Sequence, residues 1–343
     1  MKILMTSVFF YPHIGGIENI TEMLAKEFAG IEGVEVKVVT TTAEEGEQTF
    51  PFEVYRNPDR RTLWQLYRWC DVYVHQGISL KWVWPWLLKR KPWFIVYHQA
   101  GGQTGYQPGI KGKLKKWCSL MATGNIAVSE FVAGCYCLRR CTTILNAYDA
   151  TRFRQTNTEP RRDIAYVGKM WEGKGLHILL DAFRDFKDRT GSTYQLTLIG
   201  DGGDKPAEFE EIKRRIAVHP YRADIHVLGA KRAAEMAALL NRHKILALPS
   251  VHMEAFGIVC LEGMGCGCMV IGSDGDGICE AIHGHGLLFP KGDASALSQR
   301  LEQCAAMTDA EVRQRQREAE PWLHERTAAS VARQYIDTFK QHL

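Results

Sequence analysis

Ala147-Tyr-Asp-Ala-Thr-Arg-Phe-Arg-Gln-Thr-Asn-Thr-Glu-Pro-Arg-Arg162 is where the rhythm of this sequence breaks. The stretch is polar, carries a proline and has no apolar period, so it reads as a linker. On its N-terminal side, short β-rich runs recur: Lys2–Val8, Val34–Thr41, Asp71–His75, Trp93–His98 and Asn125–Val128. Between the first two, Ile17, Ile20, Leu24 and Phe28 repeat at helical spacing. On the C-terminal side the alternation restarts, with strands expected at Ile164–Val167, Gln195–Ile199, Ile225–Leu228, Ile245–Leu248 and Met269–Ile271. Helical patterns such as Leu176–Phe186 and Ala233–Leu240 separate them. Strands alternating with helices imply βαβ units and parallel sheets covered on both faces. The expected fold class is therefore α/β, with two doubly wound parallel-sheet domains in series, residues 1–150 and 151–324. Such sheets bind ligands at the carboxyl ends of their strands, and two of them facing each other would form a cleft. The segment Thr308–Leu343 reads as wholly helical, with Pro321 expected to break it into two helices.

A chain of 343 residues fits two domains of ordinary size. The net charge of +4 says little, but its distribution is uneven. Residues 1–54 hold three lysines against nine glutamates, whereas residues 55–145 hold fourteen Lys/Arg against Asp59, Asp71 and Glu130. An anionic partner suits the second region. The ten cysteines form no paired CxxC, which argues against a metal site, and a reducing compartment is the simpler reading. The start, Met1-Lys-Ile-Leu-Met, lacks a signal-peptide pattern, and no run approaches the roughly 18 apolar residues of a spanning helix. The expected location is the cytoplasm or the inner face of the cell membrane.

The densest chemistry lies in Pro249-Ser-Val-His-Met-Glu-Ala-Phe-Gly-Ile-Val-Cys-Leu-Glu-Gly-Met-Gly-Cys-Gly267. The stretch follows a strand and opens into a helix near Gly257. A helix N-terminus offers unpaired N–H groups and a positive dipole end, which suits a diphosphate. Glu254 in the loop and Glu262 on the helix would accept hydrogen bonds from hydroxyls. The alternative is two solvated glutamates on an ordinary βα unit. One unit earlier, Lys169 and Lys174 follow a strand end and could hold a diphosphate; they could equally be loop lysines. Gly15-Gly16 in the first βα loop would let backbone N–H groups approach an anion, or simply make a tight turn. His98 ends an apolar strand. Asp201, Asp274 and Asp276 sit in glycine-rich loops, where acidic residues can bind Mg²⁺ but more often form turns.

Taken together, these blocks resemble the family-4 retaining glycosyltransferases of the GT-B fold. The resemblance rests on Pro249-Ser250, on Glu254-Ala-Phe-Gly257 and on Glu262 eight residues after Glu254. Tyr166-Val-Gly-Lys-Met-Trp-Glu-Gly-Lys-Gly-Leu-His-Ile-Leu-Leu-Asp-Ala-Phe183, Leu198-Ile-Gly-Asp-Gly202, Ala127-Val-Ser-Glu130, Ile144-Leu-Asn-Ala-Tyr-Asp149 and Gly15-Gly16 extend it in the expected order. Ala255 replaces the usual glycine, Met269 the usual proline, and Lys169 the usual arginine, which keeps the charge and loses the fork.

The resemblance implies two Rossmann-like domains facing across a cleft, the acceptor side first and the donor side second. The C-terminal helix, about residues 325–343, would pack back on the first domain. It implies a metal-independent hexosyltransferase without a cofactor, moving a sugar from a UDP- or GDP-sugar to an acceptor hydroxyl with retention. In that reading Glu254 holds the transferred sugar, Glu262 the ribose, and Lys169, Lys174 and the amides near Phe256, Gly257 and Ile258 the phosphates. Gly15 and Gly16 line the substrate, and His98 contacts the sugar from the other domain. The acceptor would be a glycan or lipid-linked glycan in bacterial cell-surface polysaccharide or lipopolysaccharide synthesis. Other classes stay open: a nucleotide-sugar epimerase on the same architecture, or a non-catalytic glycan- or nucleotide-binding subunit. The tryptophans and cations of residues 80–117 suit an anionic membrane interface or an ordinary basic edge; nucleic acid ranks below both.

Overall fold

The computed structural model describes residues 1–13, 15–44, 47–100, 106, 108–136, 138–157 and 159–343. Part of the basic aromatic region, residues 101–105 and 107, thus lies outside the described residues. The chain divides into two compact units, Met1–Ala147 with Arg326–Leu343, and Tyr148–Glu325. The first boundary falls three residues before the position expected from the linker.

In the first unit, seven strands form one sheet: β1 (Lys2–Ser7), β2 (Glu35–Thr40), β3 (Glu53–Arg56), β4 (Val72–Gln76), β5 (Trp93–Tyr97), β6 (Gly124–Ala127) and β7 (Cys141–Thr143). Their spatial order is β3-β2-β1-β4-β5-β6-β7, and every pairing is parallel. The second unit has six: β8 (Arg162–Val167), β9 (Leu196–Ile199), β10 (Ile225–Val227), β11 (His243–Leu248), β12 (Met269–Ser273) and β13 (Leu287–Phe289). Their order is β10-β9-β8-β11-β12-β13, again all parallel. Both sheets reverse direction of growth once, between β1 and β4 and between β8 and β11. β3, β7 and β13, absent from the sequence reading, are three or four residues long and extend or close the sheet margins.

Strand pleat decides which helix each residue meets. Trp93 of β5 packs on Trp86, whereas its neighbour Phe94 packs on Phe339 of the last helix, Ala328–Lys340. In the second unit Ile245 and Ala247 of β11 join the core beneath the helices Leu176–Thr190 and Ala294–Ala306. The intervening Leu246 lies against Gly263 on the opposite side. The central strands are buried on both faces, which is why they read as unbroken apolar runs.

Pro321 does not end a helix: it lies inside Asp309–Glu325. The break comes at Thr327, which is extended (φ −62°, ψ 151°) and accepts a hydrogen bond from the Ser330 amide, starting the final helix. Burial of Trp322 and Leu323, just past the proline, holds the helix through Pro321, and the Thr327 cap sets where the next one starts. The last helix then buries Val331, Tyr335 and Phe339 in the first unit, with Phe28 beside both aromatic rings. Phe339→Ala is expected to destabilise the first unit by about 3–5 kcal/mol. Urea unfolding followed by tryptophan fluorescence reads this, because seven of the nine tryptophans precede residue 148. An unchanged midpoint would show that the helix adds nothing to that core.

Candidate functional site

The loops after β8 and β11 leave neighbouring strands at the switch point of the second sheet, where the chain parts to opposite sides and opens a crevice. They are knitted together. The amides of Val251 and His252 donate to the Gly173 carbonyl at 3.0 and 2.8 Å. Trp171 lies against His252 with ring centroids 5.4 Å apart. Gly175 takes a left-handed conformation (φ +71°), and a Cβ there would fall 1.8 Å from the Pro249 carbonyl oxygen. Only glycine allows this approach.

The knitting brings Lys174 and Glu254 together in a direct ion pair, both side chains largely shielded from solvent. Lys174 sits on the 3₁₀ turn Glu172–Lys174. Ser250 Oγ donates to the same carboxylate oxygen, Oε1, at 2.8 Å, while Ser273 Oγ fixes Ser250 through its carbonyl at 2.7 Å. Oε2 of Glu254 has no partner among the described residues. The carboxylate is therefore held by one oxygen and presents the other.

The helix Ile258–Gly265 begins immediately beyond. Gly257 enters it with φ +86°, and no side chain caps it, so its first amides keep their donor capacity. Phe256 is buried and anchors the entry. Beneath the loop lies Asp276, whose side chain is fully buried. It accepts from the Glu254 amide at 2.9 Å, from the Ile278 amide at 3.1 Å and from Lys291 Nζ at 2.6 Å. The Gly277 amide returns a bond to the Glu254 carbonyl at 3.1 Å. Asp276 thus clamps the backbone of Glu254, and Lys291 compensates its charge.

Glu262 is the fifth residue of that helix and half-buried. Burial pushes its carboxyl up to about 8, with Asp149 adding to the shift and Arg152 opposing it. Lys169 extends into solvent and pairs with the exposed Asp204 at 3.2 Å. An exposed pair of this kind holds weakly and leaves the cation available. Asp201 accepts from the Gly203 amide at 2.9 Å, a turn-forming bond. Among the described residues no group of three or more His, Cys, Asp or Glu side chains is arranged to hold a metal ion.

The remaining candidate site residues, Gly15, Gly16 and His98, belong to the first unit. Gly15 precedes the helix Gly16–Gly30 in an extended conformation (φ −170°), so neither turn chemistry nor left-handed strain requires glycine there. A Cβ on Gly16 would meet nothing within 4 Å, so the approach to that helix end is open. His98 follows β5, and its Nε2 lies 2.6 Å from Gln76 Oε1 at the end of β4. Burial lowers its imidazolium to about 4. The ring is therefore neutral at pH 7. With Gln76 Oε1 accepting, Nδ1 remains as an acceptor. Gln76, Ser250, Asp276 and Lys291 were not given site roles from the sequence. Ser250 stood inside the quoted motif, and Asp276 in a glycine-rich loop read as turn-forming. Lys291, fifteen residues beyond Asp276, carried no signal at all.

The chain matches relatives over both units. Residues 148–321, just over half of the chain, match the family model described as glycosyl transferases group 1. A glycosyltransferase of Methanocaldococcus jannaschii is 26% identical over 323 residues, covering 88% of this chain and 87% of its own. The D-rhamnosyltransferase WbpZ of Pseudomonas aeruginosa is 34% identical over 142 residues, 40% of this chain and 34% of its own. The putative colanic acid biosynthesis glycosyltransferase WcaL of Escherichia coli is 30% identical over 148 residues, 40% of this chain and 35% of its own. Among solved structures, Anabaena HepE in complex with UDP-glucose superposes with a TM-score of 0.81 at 18% identity, covering 99% of this chain and all of that one. WaaG, a glycosyltransferase involved in lipopolysaccharide biosynthesis, gives 0.69 at 16% identity, over 98% and 99% of the two chains. The doubly wound sheets, the clamped carboxylate and these matches agree: the chain belongs to the group 1 glycosyl transferases and has the GT-B type of fold.

Proposed function

We propose that the chain transfers a sugar from a nucleotide-diphosphate sugar to an acceptor hydroxyl, with retention of anomeric configuration and without a metal ion. The observation that carries this reading is the Lys174–Glu254 pair beside the uncapped start of the helix at Ile258. A cation and open amides suit a diphosphate; a carboxylate oxygen held free suits sugar hydroxyls. On donor binding Lys174 turns from Glu254 to the phosphates, Lys169 leaves its exposed pair to join it, and Glu254 takes sugar hydroxyls in exchange. The growing charge on the departing phosphate is met by both lysines and the helix end. That phosphate takes the acceptor proton on the same face of the sugar, which accounts for retention without a covalent enzyme intermediate. Glu262 receives the ribose, and in the first unit neutral His98 keeps Nδ1 as a hydrogen-bond acceptor.

The printed names of relatives favour a glycan product: colanic acid for WcaL, D-rhamnosyl transfer for WbpZ, lipopolysaccharide for WaaG. HepE, solved with UDP-glucose, supports a UDP-sugar donor, and a GDP-sugar is the alternative. We assign the chain to cell-surface polysaccharide synthesis.

Glu254→Gln keeps the shape and removes the charge. It is expected to lower kcat/KM by about a hundredfold or more while nucleoside diphosphate affinity does not fall, because the change frees Lys174 for the phosphates. Nucleotide release assayed with UDP- and GDP-sugars, alongside calorimetry, tests both; full turnover in the variant would sink the assignment. A thermal-shift panel of UDP-, GDP- and ADP-sugars identifies the base, and undiminished stabilisation and turnover in EDTA are expected. A third test uses pH. The Glu262 carboxyl is raised from 4.5 to about 8, so between those values the unfolded chain has ionised while the folded chain keeps its proton. This contribution to stability falls as pH rises through that window. In ligand-free protein the Tm of Glu262→Gln relative to wild type should therefore rise from pH 5 to pH 8. A constant difference would show that the carboxyl titrates normally.

A further inference from the structure

The helix Ile110–Met121 is built inside out. Its buried residues are the small Gly112, Cys118 and Ser119. Its outward side carries Ile110, Leu114, Trp117 and Met121, exposed by 78, 46, 41 and 36%, with Leu120 beside them at 47%. Spacings of four, three and four place the first four within one narrow stripe of a 3.6-residue helix. Lys111 and Lys113 flank the stripe, Lys115 and Lys116 stand farther round the helix, and none of the four forms an ion pair among the described residues. Charge on the surrounding chain is one-sided: residues 72–129 contain eight Lys/Arg and no Asp or Glu. Exposed apolar side chains concentrate there too. Leu87 and Leu88, beside Lys89 and Arg90, close the preceding helix Trp84–Leu88. That helix links β4 to β5, and Ile110–Met121 links β5 to β6. Successive right-handed crossovers in one direction place both on the same face of the sheet.

We propose that the outward stripe of Ile110–Met121 seats the protein on an anionic lipid bilayer, with Leu87 and Leu88 as an adjoining contact. A solvated helix has no reason to turn its apolar side outward, and a continuous apolar stripe marks a surface that is covered in use. The lysine fringe and the acid-free surroundings select a partner that is apolar inside and negative at its border, as an anionic bilayer is. Among the described residues no helix is long and apolar enough to cross a membrane, so the contact lies in the interfacial plane. The inference stands apart from the proposed transfer reaction.

Co-sedimentation of the full chain with phosphatidylcholine vesicles, with and without phosphatidylglycerol, tests it. Wild type should bind the anionic vesicles and release as salt rises. The variant Lys111→Gln/Lys113→Gln/Lys115→Gln/Lys116→Gln should bind about a hundredfold or more weaker, since each surface lysine contributes about fivefold. Leu114→Ser/Trp117→Ser should lose binding even at low salt. Both variants should keep wild-type nucleotide binding by thermal shift, which separates a lost surface from a lost fold and from failure of the transferase reading. Absence of vesicle binding by wild type, or equal binding by either variant and wild type, overturns the proposal. So does sedimentation-velocity evidence of a wild-type dimer that Leu114→Ser/Trp117→Ser abolishes, which would assign the stripe to a second copy of the chain.

Discussion

Parallel strands can be joined only by a crossover, and the crossover turns one way. A sheet that grows first to one side and then to the other must send two adjacent loops to opposite faces. In the second unit those loops follow β8 and β11, and everything proposed for the donor hangs on them. Lys169 and Lys174 leave one strand; Ser250, Glu254 and Gly257 leave the other. Neither loop could place its charges without the other. The Gly173 carbonyl bonds to two amides across the gap, and Gly175 admits the Pro249 backbone. The first sheet reverses in the same way between β1 and β4. Its Gln76 and His98 likewise gather at carboxyl ends of strands.

A second layer fixes the first. Glu254 is held through its backbone by the buried Asp276, and Asp276 is itself balanced by Lys291. A buried carboxylate without a cation would carry a large desolvation cost. With three donors it becomes a rigid bracket under the loop. Ser250 and Ser273 extend the bracket on the other side of the same residue. The catalytic carboxylate of the proposed reaction is therefore positioned by strands β11 and β12 rather than by the flexibility of its own loop.

The fold was legible where burial on both faces leaves an unbroken apolar run, as in Trp93–Tyr97 and Ile245–Leu248. It was not legible at Glu53–Arg56, Cys141–Thr143 and Leu287–Phe289. These short strands are partly exposed and owe their form to a pre-existing neighbour. Pro321 misled for a related reason: a proline's local cost was outweighed by the packing of Trp322 and Leu323 in the same helix. In the site, Glu254 and Lys174 stood out because loop motifs are contiguous in sequence. Lys291 did not, because the helix Gly277–Ile282 and the strand Leu287–Phe289 separate it from its partner. Nor could the raised carboxyl of Glu262 be read, since it depends on burial and on Asp149 from the linker stretch.

The Lys174–Glu254 pair also constrains how the proposed reaction begins. Lys174 and Glu254 are both largely shielded, so each is the other's main compensation for lost hydration. Separating them without replacement would strand two charges, at a cost of about 3–5 kcal/mol. A neutral sugar offers Lys174 no negative charge, and a fully ionised phosphate offers Glu254 no hydrogen-bond donor. A ligand carrying both a diphosphate and hydroxyls satisfies the two at once. The ion pair thus acts as a filter in which only a molecule joining both chemistries opens the site without penalty. It follows that donor fragments should bind less than additively apart. The joined nucleotide-sugar alone completes the exchange that leaves Glu254 on the sugar and Lys174 on the leaving group.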